Sequence, residues 1–319
     1  MVRSLRSPGS QRWLPHVPFS RGEGPWLTSD FAADRKSQKL RIHRRPTTTD
    51  QRPATERQYH PDLCLILVSY DTHEPYRLVI AANRDEFHAR TSRSAHWWED
   101  APSVLGGRDL EAGGTWMGVT RTGRFAAVTN YSESASPHED ARSRGELVAR
   151  FLTSDIPATD YLAEVAQNGG LFRGFSLLVF DRLSLASFSN RSETFRTLSP
   201  GVFGLANALL DTPWPKVTQG KERIAGILSM QRDMSEHASD LLRLLRNEES
   251  PSSLDPPHSD GEEDSRQRVS PIFIRYPTYG TRASTVLLMT RHGDVTFVEQ
   301  NWDLSGHPLE RQNFRFRLG

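Results

Sequence analysis

From residue 63 onward, this chain places its apolar side chains in short runs of strand length that are joined by polar turns. A pair of such runs with a short connection is typical of a β-hairpin. We predict one hairpin from residues 63–70 and 76–82, and a second from 116–120 and 124–130. No apolar run approaches the ~18–20 residues that a membrane-spanning helix needs, so we expect no membrane span.

The middle of the chain changes to helical periodicity. Between Ser143 and Leu152 the apolar side chains recur at a spacing that places them on one face of a helix. The same analysis predicts further helices at 160–167, 216–229 and 235–246, strands at 175–181, 185–190 and 201–208, and a last hairpin from 284–290 and 295–302. This order of strands, helices and strands favours an α+β fold over repeated βαβ units.

The first 63 residues have a different composition from the rest. They contain 12 basic and 6 acidic side chains, against 28 and 33 in residues 64–319, so the formal net charge of +1 combines local balances of +6 and −5. Only 10 of these 63 residues are Leu, Ile, Val or Phe, which is too few to build a packed core. We therefore expect residues 1–62 to be a disordered basic extension and residues 63–319 to be one domain, with an acidic flexible loop at 248–264.

Composition and missing motifs exclude several classes of function. An acidic domain is a poor partner for nucleic acid. The single cysteine, Cys64, allows neither an intrachain disulfide nor a cysteine-rich zinc site, and it suits a reducing compartment, so we expect a cytoplasmic protein without a metal. The chain also lacks the Gly-x-Ser-x-Gly elbow, the phosphate-binding loop that ends in Gly-Lys-Ser/Thr, and the Gly-x-Gly-x-x-Gly fingerprint.

Cys64 has two competing interpretations. A lone cysteine in an apolar strand is most simply a small buried hydrophobic residue. However, Cys64 opens the predicted domain and precedes, by one hairpin, a dense polar cluster at Asn83–Glu86. Asn130, Asn207 and Arg282 also lie at predicted strand ends or turns, where functional groups tend to gather. The sequence therefore leaves both interpretations of Cys64 open, as a nucleophile and as a structural residue.

The polar cluster has a structural interpretation as well. Polar residues at a strand end often form a turn with Asx-type hydrogen bonds, and Arg84 and Asp85 suit a plain ion pair. On an extended strand Asn83 and Asp85 face one side, while Arg84 and Glu86 face the other, so the four do not line one pocket together unless the backbone turns. We interpret the segment 113–116 as a tight turn with a packed indole.

Seven motifs follow one another along the domain: Leu63-Cys-Leu-Ile-Leu, Ala82-Asn-Arg-Asp-Glu-Phe87, Gly107-Arg-Asp-Leu, Gly113-Gly-Thr-Trp-Met-Gly-Val, Ala127-Val-Thr-Asn-Tyr131, Leu209-Leu-Asp-Thr-Pro-Trp-Pro-Lys216 and Tyr279-Gly-Thr-Arg-Ala-Ser-Thr-Val286. In this order they resemble the NRDE family, also called the transport and Golgi organisation 2 family. That family is similar in turn, more distantly, to N-terminal-nucleophile hydrolases of the penicillin V acylase and bile-salt hydrolase type. The resemblance implies an αββα sandwich of two mixed, largely antiparallel sheets flanked by helices.

The resemblance also implies a cysteine hydrolase that acts on an amide or related acyl bond of a small molecule. Cys64 would attack the carbonyl, and its own free α-amine would serve as the general base. Arg84 and Asp85 would hold that amine and favour the thiolate, although they are adjacent here and three residues apart in the bile-salt hydrolase branch. The resemblance implies that the side-chain amides of Asn130 and Asn207 stabilise the oxyanion. It also implies that Arg282 matches a late arginine that lies near the cysteine.

The 63 residues before Cys64 conflict with this mechanism, because an amide nitrogen cannot accept the proton. Three explanations compete: a propeptide that is removed, a translation start at Leu63, or a non-catalytic member of the family. We favour the start at Leu63, because this leucine directly precedes Cys64 where relatives have a methionine before the cysteine.

A carrier protein is the alternative from another class of function. Eukaryotic relatives are associated with secretion and Golgi organisation, and haem or lipid handling is proposed for the family. Under this hypothesis the Cys64 thiolate is a ligand to haem iron. A third hypothesis is a fold that keeps its pocket without activity.

Overall fold

The computed structural model describes residues 64–132, 141–192, 195–249 and 271–319. The predicted extension at 1–62 and most of the predicted acidic loop at 248–264 lie outside these residues, so both stay predictions.

Within the described segments the chain forms 13 strands and 4 helices, together with a 3-10 turn at Gly169–Leu171. The strands are β1 (Leu65–Tyr70), β2 (Tyr76–Phe87), β3 (Ser92–Trp97), β4 (Val104–Asp109), β5 (Met117–Thr120), β6 (Phe125–Asn130), β7 (Phe175–Phe180), β8 (Leu185–Ser189), β9 (Phe195–Leu198), β10 (Gly201–Leu205), β11 (Tyr279–Thr290), β12 (Asp294–Trp302) and β13 (Pro308–Arg317). The helices are α1 (Gly145–Leu152), α2 (Ala158–Asn168), α3 (Pro215–Leu228) and α4 (Met234–Leu245). None of these helices is long and apolar enough to cross a membrane.

The strands form two sheets, one in the order β10-β1-β2-β11-β12-β13 and the other in the chain order β3 to β9. Every pairing between these named strands is antiparallel, and a parallel bridge occurs outside them, between Arg142 and Phe172. The antiparallel pairing follows from chain order, because most neighbouring strands are joined by short turns.

Apolar side chains fill three layers, and β1 shows how one strand serves two of them. Ile66 and Val68 belong to the cluster between the two sheets, while Leu65 and Leu67 pack against α3 and α4. The second sheet is covered on its outer face by α1 and α2. Because β1 is buried on both faces, its first four residues are all apolar and show no polar alternation. The predicted α+β fold, a sandwich of two sheets between two helical layers, is confirmed.

The predicted end of the second strand is wrong. The sequence predicts a strand from 76 to 82, but β2 continues through Phe87 and includes the whole polar cluster. The reason is pairing on both sides: Leu65 of β1 lies opposite Asn83, and Thr281 of β11 lies opposite Asp85. The cluster is therefore part of a central strand and not a turn at its end.

Four strands lie where the sequence predicts none, namely β3, β4, β9 and β13. Three of these lie at sheet edges, and β13 shows why they escape prediction. Its residues are exposed or half-buried throughout, so no apolar run marks it.

A close backbone approach holds the start of α1 against the segment before β5. The amide of Thr115 donates to the carbonyl of Gly145 at 3.2 Å. A Cβ added to Gly114 would lie 2.5 Å from the carbonyl carbon of Gly145, which is closer than packed atoms come. Glycine at 114 is therefore what allows the helix to begin at this point.

We predict that Gly114→Ala lowers the free energy of unfolding by ~1–3 kcal/mol, because two backbones must separate to admit the methyl group. Urea unfolding measures the change. Gly226→Ala is the matched control: this glycine lies inside α3 with open space around it, so alanine should leave stability unchanged or raise it. Equal stability of the Gly114→Ala variant and the unaltered chain would contradict the proposed contact.

Candidate active site

A cavity of about 300 Å³ opens beside Cys64. It lies where the residue before β1 meets the end of β2, the end of β6 and the start of α1. Arg84, Trp116 and Asn130 belong to its wall. The cysteine is half-buried and is one of the residues that line this space.

The Cys64 thiol is held by the main chain of Asp85. The Asp85 amide donates to Sγ at 3.4 Å, and the thiol donates to the Asp85 carbonyl oxygen at 3.5 Å. The first contact persists when the sulfur is a thiolate, because a thiolate accepts hydrogen bonds. The β1–β2 ladder therefore places an amide donor directly against the sulfur.

The side chains of β2 alternate as the sequence predicts. Asn83 lies opposite Leu65, which faces the helices, so Asn83 and Asp85 face the helical layer and Arg84 faces the opposite side. Asn83 does not line the cavity: its amide donates to the carbonyls of Leu245 and Ile272, both at 2.8 Å. It therefore fastens the end of α4 to the sheet.

The Asp85 carboxyl is buried on the helical side of β2. The Thr281 hydroxyl donates to its Oδ1 at 2.7 Å, and Oδ2 has no hydrogen-bond partner among the described residues. Burial raises the pKa of Asp85 to about 7, and the Thr281 hydrogen bond and the cations Lys216 and Arg84 only partly oppose that rise. A carboxyl with this pKa exchanges its proton near neutral pH.

Lys216 is the site residue that sequence reasoning missed. It is the second residue of α3, and its side chain is only 1% exposed. Burial lowers the pKa of Lys216 to about 8, while the charges of Asp85 and Cys64 act in the opposite direction. The signal was present, because Lys216 lies on the same helical face as the buried residues Gly220 and Ile224.

Arg84 lies over the indole of Trp116, with its Cζ 4.4 Å from the ring centroid. Its Nη2 is 3.5 Å from a carboxylate oxygen of Glu86, and its Nη1 is buried without a partner among the described residues. Trp116 is therefore more than the packed indole that the sequence predicts. It forms a wall of the site and orients a charged group through a cation–π contact.

The two predicted oxyanion residues lie next to each other in different roles. Asn130 ends β6 and lines the cavity. Asn207 is fully buried behind it, donates its amide to the Asn130 carbonyl at 3.1 Å, and leaves its Oδ1 without a partner in the described chain. The geometry brings Asn130 to the cavity with Cys64, and Asn207 supports it.

Arg282 does not line the cavity. It is the extra residue of a β-bulge in β11, since the register with β2 shifts between Thr281 and Ala283. Its Nη1 donates to the carbonyl of His88 at 2.8 Å. Burial lowers the pKa of Arg282, and the nearby Arg84 lowers it further.

Within the described segments, no group of three or more His, Cys, Asp or Glu side chains is arranged to hold a metal ion.

Comparison with known proteins gives one family. The family model described as Transport and Golgi organisation 2 matches residues 63–304. The Transport and Golgi organization protein 2 homolog of Homo sapiens is 38% identical over 279 residues, which cover 80% of this chain and 99% of that protein. The homolog of Bos taurus is 37% identical over 281 residues, covering 79% of this chain and 100% of that protein.

A solved structure also aligns with the fold. It is a mutant conjugated bile acid hydrolase from Clostridium perfringens, with a TM-score of 0.39 and 10% sequence identity, covering 80% of this chain and 97% of that chain.

The buried carboxyl gives a pH prediction with a definite sign. Because the folded-state pKa of Asp85 is raised, its contribution to stability is complete below the unfolded pKa of about 4 and is lost as pH rises through about 7. We expect Asp85→Asn to gain stability relative to the unaltered chain as pH rises from 5 to 7, by up to ~1.4 kcal/mol per pH unit.

Urea unfolding across this pH range measures the difference between the two proteins. Asp294→Asn, which changes an exposed carboxylate at the start of β12, is the control and should show no such trend. A difference between Asp85→Asn and the unaltered chain that stays constant with pH would disprove the raised pKa.

Proposed function

The chain belongs to the transport and Golgi organisation 2 family, and from this premise and the geometry at Cys64 we propose a cysteine hydrolase of the N-terminal-nucleophile type. Its substrate is a small molecule with an amide or related acyl bond. One observation carries the proposal: the Cys64 thiol faces a cavity while the amide of Asp85 donates to its sulfur. A half-buried thiol that borders a cavity and is held by a fixed donor is poised for attack on a carbonyl carbon.

In the proposed reaction the α-amine of Cys64 takes the thiol proton, and Sγ forms a bond to the carbonyl carbon. The carbonyl oxygen becomes an oxyanion, and in this proposal Asn130, which lines the cavity, stabilises it. The resulting ammonium returns its proton to the leaving nitrogen, and the C–N bond breaks to give an acyl thioester. Water then releases the acid and restores the thiol. Asn207 acts as a positioning residue, since it binds the carbonyl of Asn130.

This chemistry needs a free amine on Cys64, so the active form begins at that residue. The family match supports the proposal, because it starts at residue 63, immediately before the cysteine. We further propose a reducing compartment such as the cytoplasm, since Cys64 must stay reduced to act as a nucleophile.

The carrier hypothesis uses the same cavity, but haem does not fit it well. Among the described residues, charged and polar side chains make up most of the wall, and the apolar ones are Trp116, Val128 and two alanines. A porphyrin needs an extended apolar slot, so the lining favours a small polar ligand. Binding of such a ligand without hydrolysis remains the competing function.

The proposal predicts that hydrolysis depends on Cys64 and on its free amine. A panel of acyl amides of 7-amino-4-methylcoumarin, followed by fluorescence, measures turnover, and mass spectrometry identifies the N-terminus. Protein that begins at Cys64 should hydrolyse at least one substrate, whereas the full 319-residue chain and Cys64→Ala should not. Undiminished turnover by Cys64→Ala would refute the proposal. Circular dichroism confirms that each protein is folded.

A second prediction concerns Lys216 as a positioning residue that favours the thiolate. Removal of its charge in Lys216→Met should slow iodoacetamide alkylation of Cys64 at pH 7.5 by about tenfold, which corresponds to ~1.4 kcal/mol. The chain has a single cysteine, so the label reports on this site alone. Alkylation of Lys216→Met should recover at higher pH, where the thiolate forms without the cation; a purely structural role would not produce that recovery.

Lys221→Met is the matched control, because Lys221 lies on the same helix and pairs with Asp211 at 2.8 Å, away from Cys64. Its alkylation rate should equal that of the unaltered chain. Equal alkylation rates for Lys216→Met and Lys221→Met across the pH range would show that the charge of Lys216 does not favour the Cys64 thiolate.

A further inference from the structure

The Gly107-Arg-Asp-Leu motif at the end of β4 is one of the seven family motifs, yet the proposed reaction gives it no part. The side chains of β4 alternate between the two faces of its sheet. Leu105 belongs to the core between the two sheets, so Gly107 and Asp109, at the following odd positions, face the same side. The cavity lies on this side, since Asp109 is one of the residues that line it.

Asp109 shows how this face of β4 acts on the cavity. Its carboxylate accepts hydrogen bonds from Arg90, from Nη2 at 2.6 Å and from Nε at 3.1 Å. Arg90 follows β2 in the chain and also lines the cavity. The second sheet therefore holds in place an arginine that comes from the segment after a strand of the first sheet, and Gly107 lies two residues before the aspartate that does so.

Gly107 leaves space for the indole of Trp116. A Cβ added to Gly107 would lie 2.2 Å from Cη2 of the indole, 2.4 Å from Cζ2, and 3.1 Å from the carbonyl oxygen of Arg93. Carbon atoms in favourable contact lie about 3.5–4.0 Å apart. Any side chain at position 107 would therefore displace the indole by roughly 1 Å or turn it.

The Trp116 indole in turn fixes Arg84, whose Cζ lies 4.4 Å from the ring centroid. The hydrogen bonds of this guanidinium are weaker restraints, because Nη2 is 3.5 Å from Glu86 and Nη1 has no partner among the described residues. A cation that is largely removed from water gains more from an aromatic face than an exposed one does, and Arg84 is only 7% exposed. Among the described contacts, the indole is therefore the main restraint on the guanidinium.

Arg84 lies across the β1–β2 ladder from Cys64. Leu65 is the partner of Asn83, so the same register places the preceding residue, Cys64, opposite Arg84. Directly opposite residues of an antiparallel pair have their side chains on the same face, and both of these residues line the cavity. A neighbouring cation favours the thiolate form of a cysteine. The position of the guanidinium therefore bears on the reactivity of Cys64.

We propose that Gly107 is a positioning residue for Cys64. By leaving room for the Trp116 indole, it holds the Arg84 guanidinium at the cavity, where the positive charge favours the thiolate. This series of contacts runs from the second sheet to the first, so it aligns the two halves of the site. The use of the thiolate in hydrolysis rests on the proposed function, whereas the positioning is tested on the thiol alone.

The test is the pH dependence of iodoacetamide alkylation in the full chain, whose single cysteine makes the label specific for Cys64. We expect Gly107→Ala to slow alkylation at pH 7.5 by about fivefold, because displacement of the indole releases Arg84. The rate should recover above about pH 9, where the thiolate forms without help from a cation. Gly170→Ala is the matched control, since no atom lies within 4 Å of the added Cβ, and its alkylation should equal that of the unaltered chain.

Trp116→Phe provides the rescue. Cη2 and Cζ2 belong to the outer edge of the indole, which a phenylalanine ring does not reach, so this substitution removes the clash and keeps an aromatic face beside Arg84. Alkylation of the double variant Gly107→Ala/Trp116→Phe should therefore match that of Trp116→Phe alone. A slowing that persists in the phenylalanine background would come from the backbone of β4, next to the Arg93 carbonyl, and would overturn the proposal.

Equal alkylation of Gly107→Ala and the unaltered chain would also overturn the proposal, as would a slow rate that does not recover at high pH. Circular dichroism verifies that each variant is folded. If Gly107→Ala alone does not fold, two measurements decide. The double variant should fold, and Trp116→Leu, which removes the aromatic face without adding an atom to β4, should show the fivefold loss at pH 7.5 and its recovery at high pH. Failure of either would overturn the proposal.

Hydrolysis is measured separately, with protein that begins at Cys64. Absence of turnover there would refute the proposed reaction and leave the alkylation rates, and with them the role of Gly107, unaffected.

Discussion

The pairing of β2 with β1 on one side and β11 on the other is the contact on which the site depends. Through it, polar side chains that would otherwise end a strand are kept extended in the middle of a sheet. The pleat then separates them, with Arg84 towards Trp116 and Asp85 towards the helical layer. The same ladder brings the amide of Asp85 against the Cys64 sulfur. The same strand pairing therefore builds both the sheet and the site.

Burial of opposite charges is the second organising feature. Asp85 and Lys216 are both buried on the helical side of β2, and burial moves their pKa values towards neutrality from opposite directions. Such groups are costly to the fold unless each compensates the other. In the proposed hydrolase this cost would serve the chemistry of Cys64, whose charge interacts with that of Lys216.

Much of the architecture was open to prediction, because apolar runs and helical periodicity mark β1, α1 and α4 directly. The extent of β2 could not be predicted, because the Asn83 side chain binds the carbonyls of Leu245 and Ile272. Both carbonyls lie more than 160 positions away along the chain. Local sequence carries no record of such contacts. Motif resemblance brought together Cys64, Arg84, Asp85 and Asn130, while Lys216 and Trp116 entered the site only through packing.

The alternation of β2 also makes the site depend on the length of the turn that precedes the strand. Loss or gain of a single residue in the connection between β1 and β2 would shift their register by one and exchange the two faces of the strand. Arg84 would then point into the helical layer, and Asp85 would point at the indole. The turn between β1 and β2 lies at the opposite end of β1 from Cys64, so its length fixes the site without contributing a side chain to it.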